Sequence, residues 1–540
     1  MQGITPVLVA LVLLTGGAAA ASEYLGQPDS FASHPVSDGI EFENVAYLLD
    51  CGGDSCGDPL GCCDECGAGC GDACACNCAA CQAKKKAAAP NPCLTSHKIL
   101  FFNNDFSYLN DPGYSGRCLG DCLKLNPIGK NGQLSIGGQL RLRYHNEESM
   151  GFSTEGVVGG GGPGVGFQGT NEDFLLSRLR LYTDYRYKDV ARLYVEGIFA
   201  ENLDDGDTFL PRIIDRNYGD LLNVFADVNL TDSLIFRIGR QEHLYGAQRL
   251  LSPLDWANTR QRFEGIKFLY KKDDWAIDTF WTVFTPVDPD EFDEGDYNRR
   301  LYGVYATKTG GKYIPTLDLF YIGFDDTRAL APITSDFSLH TIGGRAQGGG
   351  AKWLYELEGG VQFGRQSGLG VDHNAGYVTG GVGRKFDHDW SPTMWFYYDY
   401  ASGDDESGGF GRFNQLFPLA HKYLGFADFA QRANISSPNV LMTMQPAQKW
   451  KLLLWYYYLG AAESADIVPG VATNTAPLQN TVDDEFVHEL DIIIRYQINV
   501  RSNILLGYSN VWAGDKLDDG MFPILDSDAN FTYLQWEQNF

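Results

Sequence analysis

The sequence lacks the features that would assign it to the commonest protein classes. After the apolar run Ile4–Leu14 it has no stretch that approaches the roughly 20 apolar residues of a membrane-spanning helix. Residues 131–540 contain no cysteine, although the chain has 13. The motifs GxSxG, HExxH and the P-loop are also missing. A hydrolase would need a nucleophile–base pair, and none is visible in the sequence.

Basic charge is scarce as well. The chain has 42 Lys and Arg against 69 Asp and Glu, a net charge of −27, which argues against nucleic acid as a partner. From about residue 131 onward there is no linker, only short alternating segments broken by Gly, Asp, Asn and Pro. Such spacing predicts a sandwich, a barrel or a propeller, and no propeller-type repeat is visible.

The sequence does contain long strands with two distinct faces. In the segments 133–145, 178–188 and 490–501, polar residues rich in Arg alternate with apolar and aromatic residues. Each runs about ten residues, enough to cross a membrane at a tilt of ~45°. Apolar-out and polar-in alternation is typical of a transmembrane barrel. A soluble sheet with one wet face is the alternative, but so many Arg on the polar face suit a wet lumen better.

Both ends of the chain agree with an exported barrel. The run Ile4–Leu14 and the small residues after it predict a secretory signal peptide that is cleaved near Ala20 or Ala21. The last segment, Asn530–Phe540, alternates and stops on an aromatic residue, and it resembles the closing strand of bacterial outer-membrane barrels. We expect it to pair with the strand that contains Gln139–Tyr144, because closure removes edges that lipid cannot satisfy.

These patterns divide the chain into three parts. We expect a signal peptide over 1–21, a Cys-rich and loop-rich segment over 22–130, and a barrel over 131–540. The barrel has about 410 residues, and ~23 residues per strand and turn give roughly 18 strands, an even number. The predicted fold is therefore all-β, a single antiparallel transmembrane β-barrel of about 18 strands.

The cysteines are confined to the segment before the barrel, since all of them lie between Cys51 and Cys122. In an exported chain they favour disulfides, so we expect a disulfide-linked module over 51–93 with little regular structure. The CxxC spacing of Cys63–Cys66 and Cys78–Cys81 leaves zinc open, and intermolecular cross-links are a third possibility. The odd count leaves at least one cysteine without a partner inside the chain.

A family resemblance rests on three blocks. The segment from Phe236 reads FRIGRQEHLYGAQRLLSPLDWANTRQRFEGIKF, a later block reads YDYASGD, and an early block reads GGQLRLRYHNEE. Together they resemble the alginate-export family of outer-membrane porins, with Glu264 where the family pattern has Asp. The matching positions are Gly239, Arg240, Gln241, Tyr245, Gly246, Arg249, Leu250, Asp255, Trp256, Arg260 and Phe263, the blocks Gly137–Glu148 and Tyr398–Asp404, and Phe413, Leu416–Pro418, His421 and Gly425.

The resemblance implies a wide, monomeric outer-membrane barrel whose lumen carries Arg and Lys and passes an anionic polysaccharide. Arg offers a planar fork for carboxylates, and basic walls concentrate anions in a confined pore. For each Arg the alternative is a structural ion pair with Asp or Glu. Arg240 has the opposite parity to Arg237, so it needs a bulge or a strand end. The candidate lumen residues are Arg141, Arg143, Arg178, Arg180, Arg192, Arg237, Arg240, Arg249 and Arg260.

The sequence thus predicts an outer-membrane porin that passively conducts anionic solutes, including anionic polysaccharides such as alginate. We expect no enzymatic activity, cofactor or metal; the acidic run from Asp288 to Asp296 is interpreted as a solvated loop rather than a calcium site. The expected partners are outer-membrane lipid, the barrel-assembly machinery and the anionic solute. A general diffusion porin, or an envelope structural or adhesive protein anchored by a barrel, are the alternatives.

Overall fold

The computed structural model describes residues 92–114, 116, 118–150, 171–203, 214–328, 336–405, 408–470, 479–517 and 528–540. The predicted signal peptide and the cysteines from Cys51 to Cys81 lie outside the described residues. In the described ranges, no helix combines the length and the apolar character needed to cross a membrane.

Across the described ranges, 19 strands form one sheet, and neighbouring strands are antiparallel. The strands are β1 (Asn126–Ile128), β2 (Gly132–Glu148), β3 (Asn171–Tyr187), β4 (Ala191–Asn202), β5 (Asn217–Thr231), β6 (Leu234–Gln241), β7 (Arg262–Lys272), β8 (Trp275–Thr285), β9 (Asp296–Thr309), β10 (Thr316–Asp326), β11 (Phe337–Gly349), β12 (Trp353–Gln366), β13 (Val371–Lys385), β14 (Thr393–Ala401), β15 (Ile435–Ala447), β16 (Trp450–Gly460), β17 (Glu485–Asn499), β18 (Ser502–Ala513) and β19 (Ala529–Asn539).

Helical structure in the described ranges is limited to single turns. One α-helical turn, α1, spans Ala420–Tyr423. The 3-10 turns are Pro92–Thr95, Phe101–Asn103, Ser107–Asn110, Asp121–Leu123 and Asp515–Leu517. The short strand β1 forms a hairpin with the start of β2.

The sheet closes on itself, since the last strand pairs with the first long one. In β19, Asn539 lies opposite Gln139 and Leu534 lies opposite Tyr144. Phe540 and Gly138 complete the seam with two backbone hydrogen bonds of 3.0 Å. The prediction of a closed antiparallel barrel of about 18 strands is confirmed, with β2–β19 as its 18 strands.

The alternation of the sequence decides which side chains point into the barrel. In β2, Arg141 and Arg143 are buried at 2% exposure, whereas Ile136 and Tyr144 are about 40% exposed on the outer surface. A strand places successive side chains on opposite faces, so one polar and one apolar set separate cleanly. The apolar set faces outward, as lipid requires, and the polar set faces the lumen.

The two ends of the barrel differ in their connections. At one end β3–β4, β5–β6, β7–β8 and β15–β16 are joined by turns of two or three residues. The chain enters β2 and leaves β19 at this same short-turn end. Long connections lie at the opposite end. Short turns are typical of the periplasmic end of an outer-membrane barrel and long loops of the outer end.

Two of the long connections meet inside the barrel. Residues 242–261 join β6 to β7, and residues 402–434, described except for 406 and 407, join β14 to β15. Leu251 forms a parallel β-bridge with Phe417, flanked by backbone hydrogen bonds of 2.8 and 2.9 Å from Ser252 to Phe417 and from Phe417 to Leu250. We call these two segments the loop bridge. Their apolar side chains form the main buried cluster with buried residues of strands between β7 and β19.

Candidate functional site

The loop bridge joins the two sequence blocks that carry the family resemblance. The ring of Trp256 stacks on His421 with centroids 3.6 Å apart and an interplanar angle of 10°. His421 pairs through Nδ1 with Asp428 at 2.9 Å. Burial lowers the pKa of His421 in spite of that carboxylate, so the ring is neutral at neutral pH. Tyr423 fixes the contact by donating a hydrogen bond to the carbonyl of Ala247 at 2.6 Å.

Arginines of β2 and β3 converge on one turn of the loop bridge. Arg141 donates to the carbonyls of Asp255 at 2.7 Å and Ala257 at 3.0 Å. Arg178 donates to the carboxylate of Asp255 at 2.9 Å, and Arg260 from the loop bridge pairs with the same oxygen. We call Arg141, Arg178, Arg260 and Asp255 the arginine cluster. The Asp255 side chain is 36% exposed, whereas the three arginines are almost fully buried.

The electrostatic balance of the cluster favours negative charge. Burial by itself would raise the pKa of Asp255, but Arg260, Arg178 and Arg141 together lower that pKa far below its usual range. Three guanidinium groups therefore hold this carboxylate ionised. Two further carboxylates lie near them: Glu242 accepts from Arg260 at 2.5 Å, and Glu537 interacts electrostatically with Arg141.

Arg143 belongs to the edge of this cluster. It donates to the carbonyl of Trp256 at 2.7 Å, and its guanidinium carbon lies 3.8 Å from the centre of the Trp256 ring. The stack of guanidinium, indole and imidazole thus runs from the wall of the barrel to His421 on the opposite loop. Arg143 positions the bridge as well as adding charge.

Three predicted arginines on β3, β4 and β6 point inward, but each is held by a carboxylate on the wall. The pairs are Arg180–Glu196 at 2.7 Å, Arg192–Asp184 at 2.7 Å and Arg237–Asp227 at 2.7 Å. All six side chains are largely buried. Such pairs neutralise each other's charge, so these positions contribute less to the field of the lumen than the arginine cluster does.

The structure explains how Arg240 reaches the lumen in spite of its parity. It is the penultimate residue of β6, and Gly239 before it has φ 133°. A side chain at that position would collide with the carbonyl of Val224. This irregular backbone turns Arg240 inward, where it pairs with Asp220 at 3.0 Å and Glu264 at 2.6 Å.

Arg249 lies in the loop bridge and reaches across to the wall. It pairs with Glu356 at 2.7 Å and Glu358 at 2.8 Å, two inward residues of β12. Arg345 of β11 also contacts Glu356 at 2.8 Å. Arg249 therefore fastens the loop bridge to the barrel, a role that its position in a turn did not reveal.

The acidic run before β9 is only partly a solvated loop. Asp293 is buried at 1% exposure, forms an ion pair with Arg262 and accepts a hydrogen bond from Asn217 at 2.8 Å. Asp290 remains exposed on the loop, with 80% of its side chain accessible. The run thus supplies a structural ion pair to the wall.

Sequence reasoning missed one set of lumen residues entirely. Phe101 and Phe102, from the segment before β1, are buried against inward rings of β3–β5. The guanidinium carbon of Arg180 lies 3.8 Å from the centre of the Phe101 ring. In sequence these residues belong to a segment without strand periodicity, and its only signal is the apolar group from Ile99 to Phe102.

The cysteines near this segment are also resolved. Cys93 and Cys118 form a disulfide, so Cys93 pairs forward and not within the predicted 51–93 module. Cys122 is a free, exposed thiol. The remaining cysteines of the module lie outside the described residues.

Comparison with known proteins supports the same architecture. The structure is similar to the porin OpdK of Pseudomonas aeruginosa solved with vanillate, with a TM-score of 0.53 and 12% identity over 75% of this chain and 98% of that one. A BenF-like porin from Pseudomonas fluorescens Pf-5 gives a TM-score of 0.50 and 13% identity over 75% and 99%. OccK8 (OprE) of P. aeruginosa gives 0.51 and 11% over 75% and 98%. At such low sequence identities, these similarities show the fold alone.

The family comparison covers most of the barrel. Residues 133–521 match the model of the family described as alginate export. A comparison with curated proteins gave no match. This family match, together with the closed barrel, assigns the protein to the outer membrane as a channel. The chain belongs to the alginate export family of outer-membrane proteins.

Proposed function

We propose that the barrel passively conducts anionic solutes and that the arginine cluster selects carboxylates. The observation that carries this proposal is the convergence of Arg178 and Arg260 on the partly exposed carboxylate of Asp255, whose backbone carbonyl accepts a hydrogen bond from Arg141. Asp255 accepts the hydrogen bonds that a solute carboxylate would accept. A passing anion can therefore share these hydrogen-bond donors with Asp255, or replace Asp255 as their acceptor, without a new binding site being formed.

The overall acidity of the chain does not oppose this. The net charge of −27 includes many acidic residues on loops, where water and salt screen them. The arginine cluster lies inside a low-dielectric wall, where charge acts more strongly on a solute in the pore. Anion preference should therefore be strongest at low salt and should weaken as salt rises.

Within this function we propose an anionic polysaccharide such as alginate as the finer substrate class. The family match supports a uronate polymer. A chain of carboxylates could also engage the arginine cluster at several sugar units in turn, which a small anion cannot do. We further propose that the barrel acts as a monomer and that the assembly machinery recognises its closing strand, Asn530–Phe540. We also propose that the chain divides at about residues 21 and 130 into a signal peptide, a Cys-rich segment and the barrel.

Reversal potentials in planar bilayers test the anion preference. The double variant Arg141→Gln/Arg178→Gln removes two guanidinium groups and leaves Asp255 with Arg260. We expect wild type to prefer chloride over potassium and the double variant to lose that preference several-fold. Arg365→Gln is the matched control, because its side chain is 53% exposed and pairs with Asp372 outside the lumen. A double variant as anion-selective as wild type would refute the role of the cluster.

One observation favours a second function, an envelope protein that uses the barrel as an anchor. The segment before β1 is seated in the short-turn end of the barrel, as an anchored leader would be. An anchor of this kind would be plugged. Wild-type protein that inserts into bilayers in folded form but passes no current would favour the anchor over the porin.

A further inference from the structure

A disulfide-closed loop enters the barrel from its short-turn end. Cys93 and Cys118 are 25 residues apart in sequence, and their disulfide closes the chain between them into a loop. We call this loop the mouth loop and its inserted residues, Ile99–Asn104, the tip. The mouth loop precedes residues 133–521, so it lies outside the part of the chain that matches the family. Its role has to be inferred from its own contacts.

The base of the mouth loop is fixed to the rim of the barrel. Arg501, in the turn between β17 and β18, donates to the carbonyl of Cys93 at 3.1 Å, to Ser96 Oγ at 2.7 Å and to Tyr108 Oη at 3.2 Å. Lys124, just after the loop, donates to the carbonyls of Ile136 at 2.5 Å and Phe540 at 3.1 Å. These bonds hold both ends of the loop at the short-turn rim.

The tip reaches from this rim into the lumen, where it packs on aromatic rings. The Phe101 ring lies 5.7 Å from that of Tyr182. The Phe102 ring lies 5.7 Å from that of Tyr194 and 5.2 Å from that of Phe225. Both phenylalanines are about 95% buried. The three wall rings belong to β3, β4 and β5, so the tip covers the sector of the lumen that leads to the arginine cluster.

The backbone of the tip also occupies arginines. Arg192 donates to the carbonyl of Phe102 at 2.7 Å, and Arg260 of the arginine cluster donates to the carbonyl of Ile99 at 3.3 Å. The tip, ILFFNN, has no acidic residue. It therefore offers these guanidinium groups neutral acceptors, which bind them more weakly than carboxylates do.

We propose that the tip is an internal plug that stands in for the solute at the short-turn mouth and that a polyanion displaces it. The displacement step rests on the proposed function, because the displacing anionic solute must compete with the tip for Arg192 and Arg260. The base of the mouth loop stays fixed by Arg501 and the disulfide, and the tip moves. The barrel is thus narrow at rest and opens along the sector of β3–β6 when a carboxylate chain arrives.

Single-channel conductance tests the plug. The variant Phe101→Ser/Phe102→Ser removes the rings that seat the tip and keeps the disulfide, Arg192 and Arg260. We expect its conductance to be at least twofold above wild type, with passage of polyuronate chains that wild type admits slowly. Leu119→Ser is the matched control, because Leu119 is 55% exposed and lies just after Cys118, outside the lumen. Conductance equal to wild type in folded barrels would overturn the plug.

Hydrogen exchange of the wild-type protein in detergent gives a second test that needs no variant. The amides of Asn103 and Asn104 donate to Leu100 and Phe101 at 2.8 and 3.0 Å, so they report on the tip. Added polyuronate should speed their exchange at least several-fold and leave strand amides unchanged. Unchanged exchange at saturating polyuronate would overturn displacement by the solute.

The two proposals fail in different ways. Higher conductance of Phe101→Ser/Phe102→Ser without anion preference in its reversal potential would leave the plug standing and reject the proposed function. Anion preference in wild type, with no change of conductance in that variant, would leave the proposed function standing and reject the plug.

Discussion

Asp255 illustrates, at the scale of the residue, how one side chain can organise several arginines inside a barrel. It is the carboxylate shared by Arg178 and Arg260, and its backbone carbonyl accepts from Arg141. Because those guanidinium groups lower its pKa far below the usual range, it is ionised at neutral pH. It is thus an internal counter-ion, and under the proposed function a solute carboxylate would share its donors.

Removing that internal counter-ion should strengthen anion selectivity. In Asp255→Asn the guanidinium groups keep a neutral acceptor of the same shape but lose the opposing charge. We expect a preference for chloride over potassium about two- to fivefold above wild type in reversal potentials, of the size that ~1 kcal/mol of electrostatic free energy gives. Asp372→Asn, on an exposed carboxylate, is the control. A fall in anion preference would show that Asp255 orders the cluster and does not compete with the solute.

The ion pairs on the barrel wall differ from the arginine cluster, because each Arg there has its own carboxylate. These pairs are Arg180–Glu196, Arg192–Asp184 and Arg237–Asp227. Arg237 holds Asp227 through two hydrogen bonds of 2.7 and 2.9 Å, both groups being buried. Arg237→Met leaves Asp227 buried with Arg192, 3.8 Å away, and Lys267 as the remaining cations near it. We expect the free energy of unfolding, from urea titration in vesicles, to fall by about 3 kcal/mol. The double variant Arg237→Met/Asp227→Leu should recover most of that loss. No recovery would mean that Arg237 acts through its stacking on the Phe225 ring, whose centre lies 3.7 Å from the guanidinium carbon.

The loop bridge is the informative feature at the scale of the element. Two connections from nearly opposite walls of the barrel, between β6 and β7 and between β14 and β15, join at Leu251 and Phe417. The stack of Trp256 on His421 is a second contact between them. The bridge divides the lumen and presents the arginine cluster on one side. We therefore expect contacts between the two loops to influence the width of the pore.

Weakening the second contact should widen the pore. Trp256→Ala removes the ring that stacks between Arg143 and His421, and it leaves the backbone bridge at Leu251 in place. We expect single-channel conductance to rise by roughly half or more, with noisier open levels, because the loops separate more often. Trp390→Ala, at an exposed turn between β13 and β14, should leave conductance unchanged. A quiet channel of wild-type conductance in Trp256→Ala would contradict this role.

The strands could be predicted from the sequence and the loop bridge could not, for a physical reason. Alternation is a local property, so the inward face of Gln139, Arg141 and Arg143 can be read directly from the chain. The pairing of Gln139 with Asn539 followed from closure. The contact of Leu251 with Phe417 and the ion pair of Arg249 with Glu356 depend on where the closed barrel places distant segments. Period-two patterning carries no information on them.

At the scale of the whole molecule, the structure combines a lipid-facing barrel with two segments that occupy its lumen. The loop bridge enters from the long-loop end, and the mouth loop enters from the short-turn end. They meet where Arg260 donates to the carbonyl of Ile99. The family match covers the loop bridge and the barrel except for the closing strand β19, whereas the mouth loop and its disulfide belong to the segment before the match. In this chain the family fold thus carries an additional disulfide-closed segment that packs against β3–β5.

The central claim is that this barrel conducts and prefers anions although the chain carries a net charge of −27. The most direct test is the reversal potential of the wild-type protein in a planar bilayer under a salt gradient, first near 0.1 M and then near 1 M, where the Debye length falls from about 10 Å to about 3 Å. The account predicts a chloride-selective potential at low salt that shrinks toward zero at high salt. A potassium-selective potential at low salt, or no current through folded barrels, would contradict it.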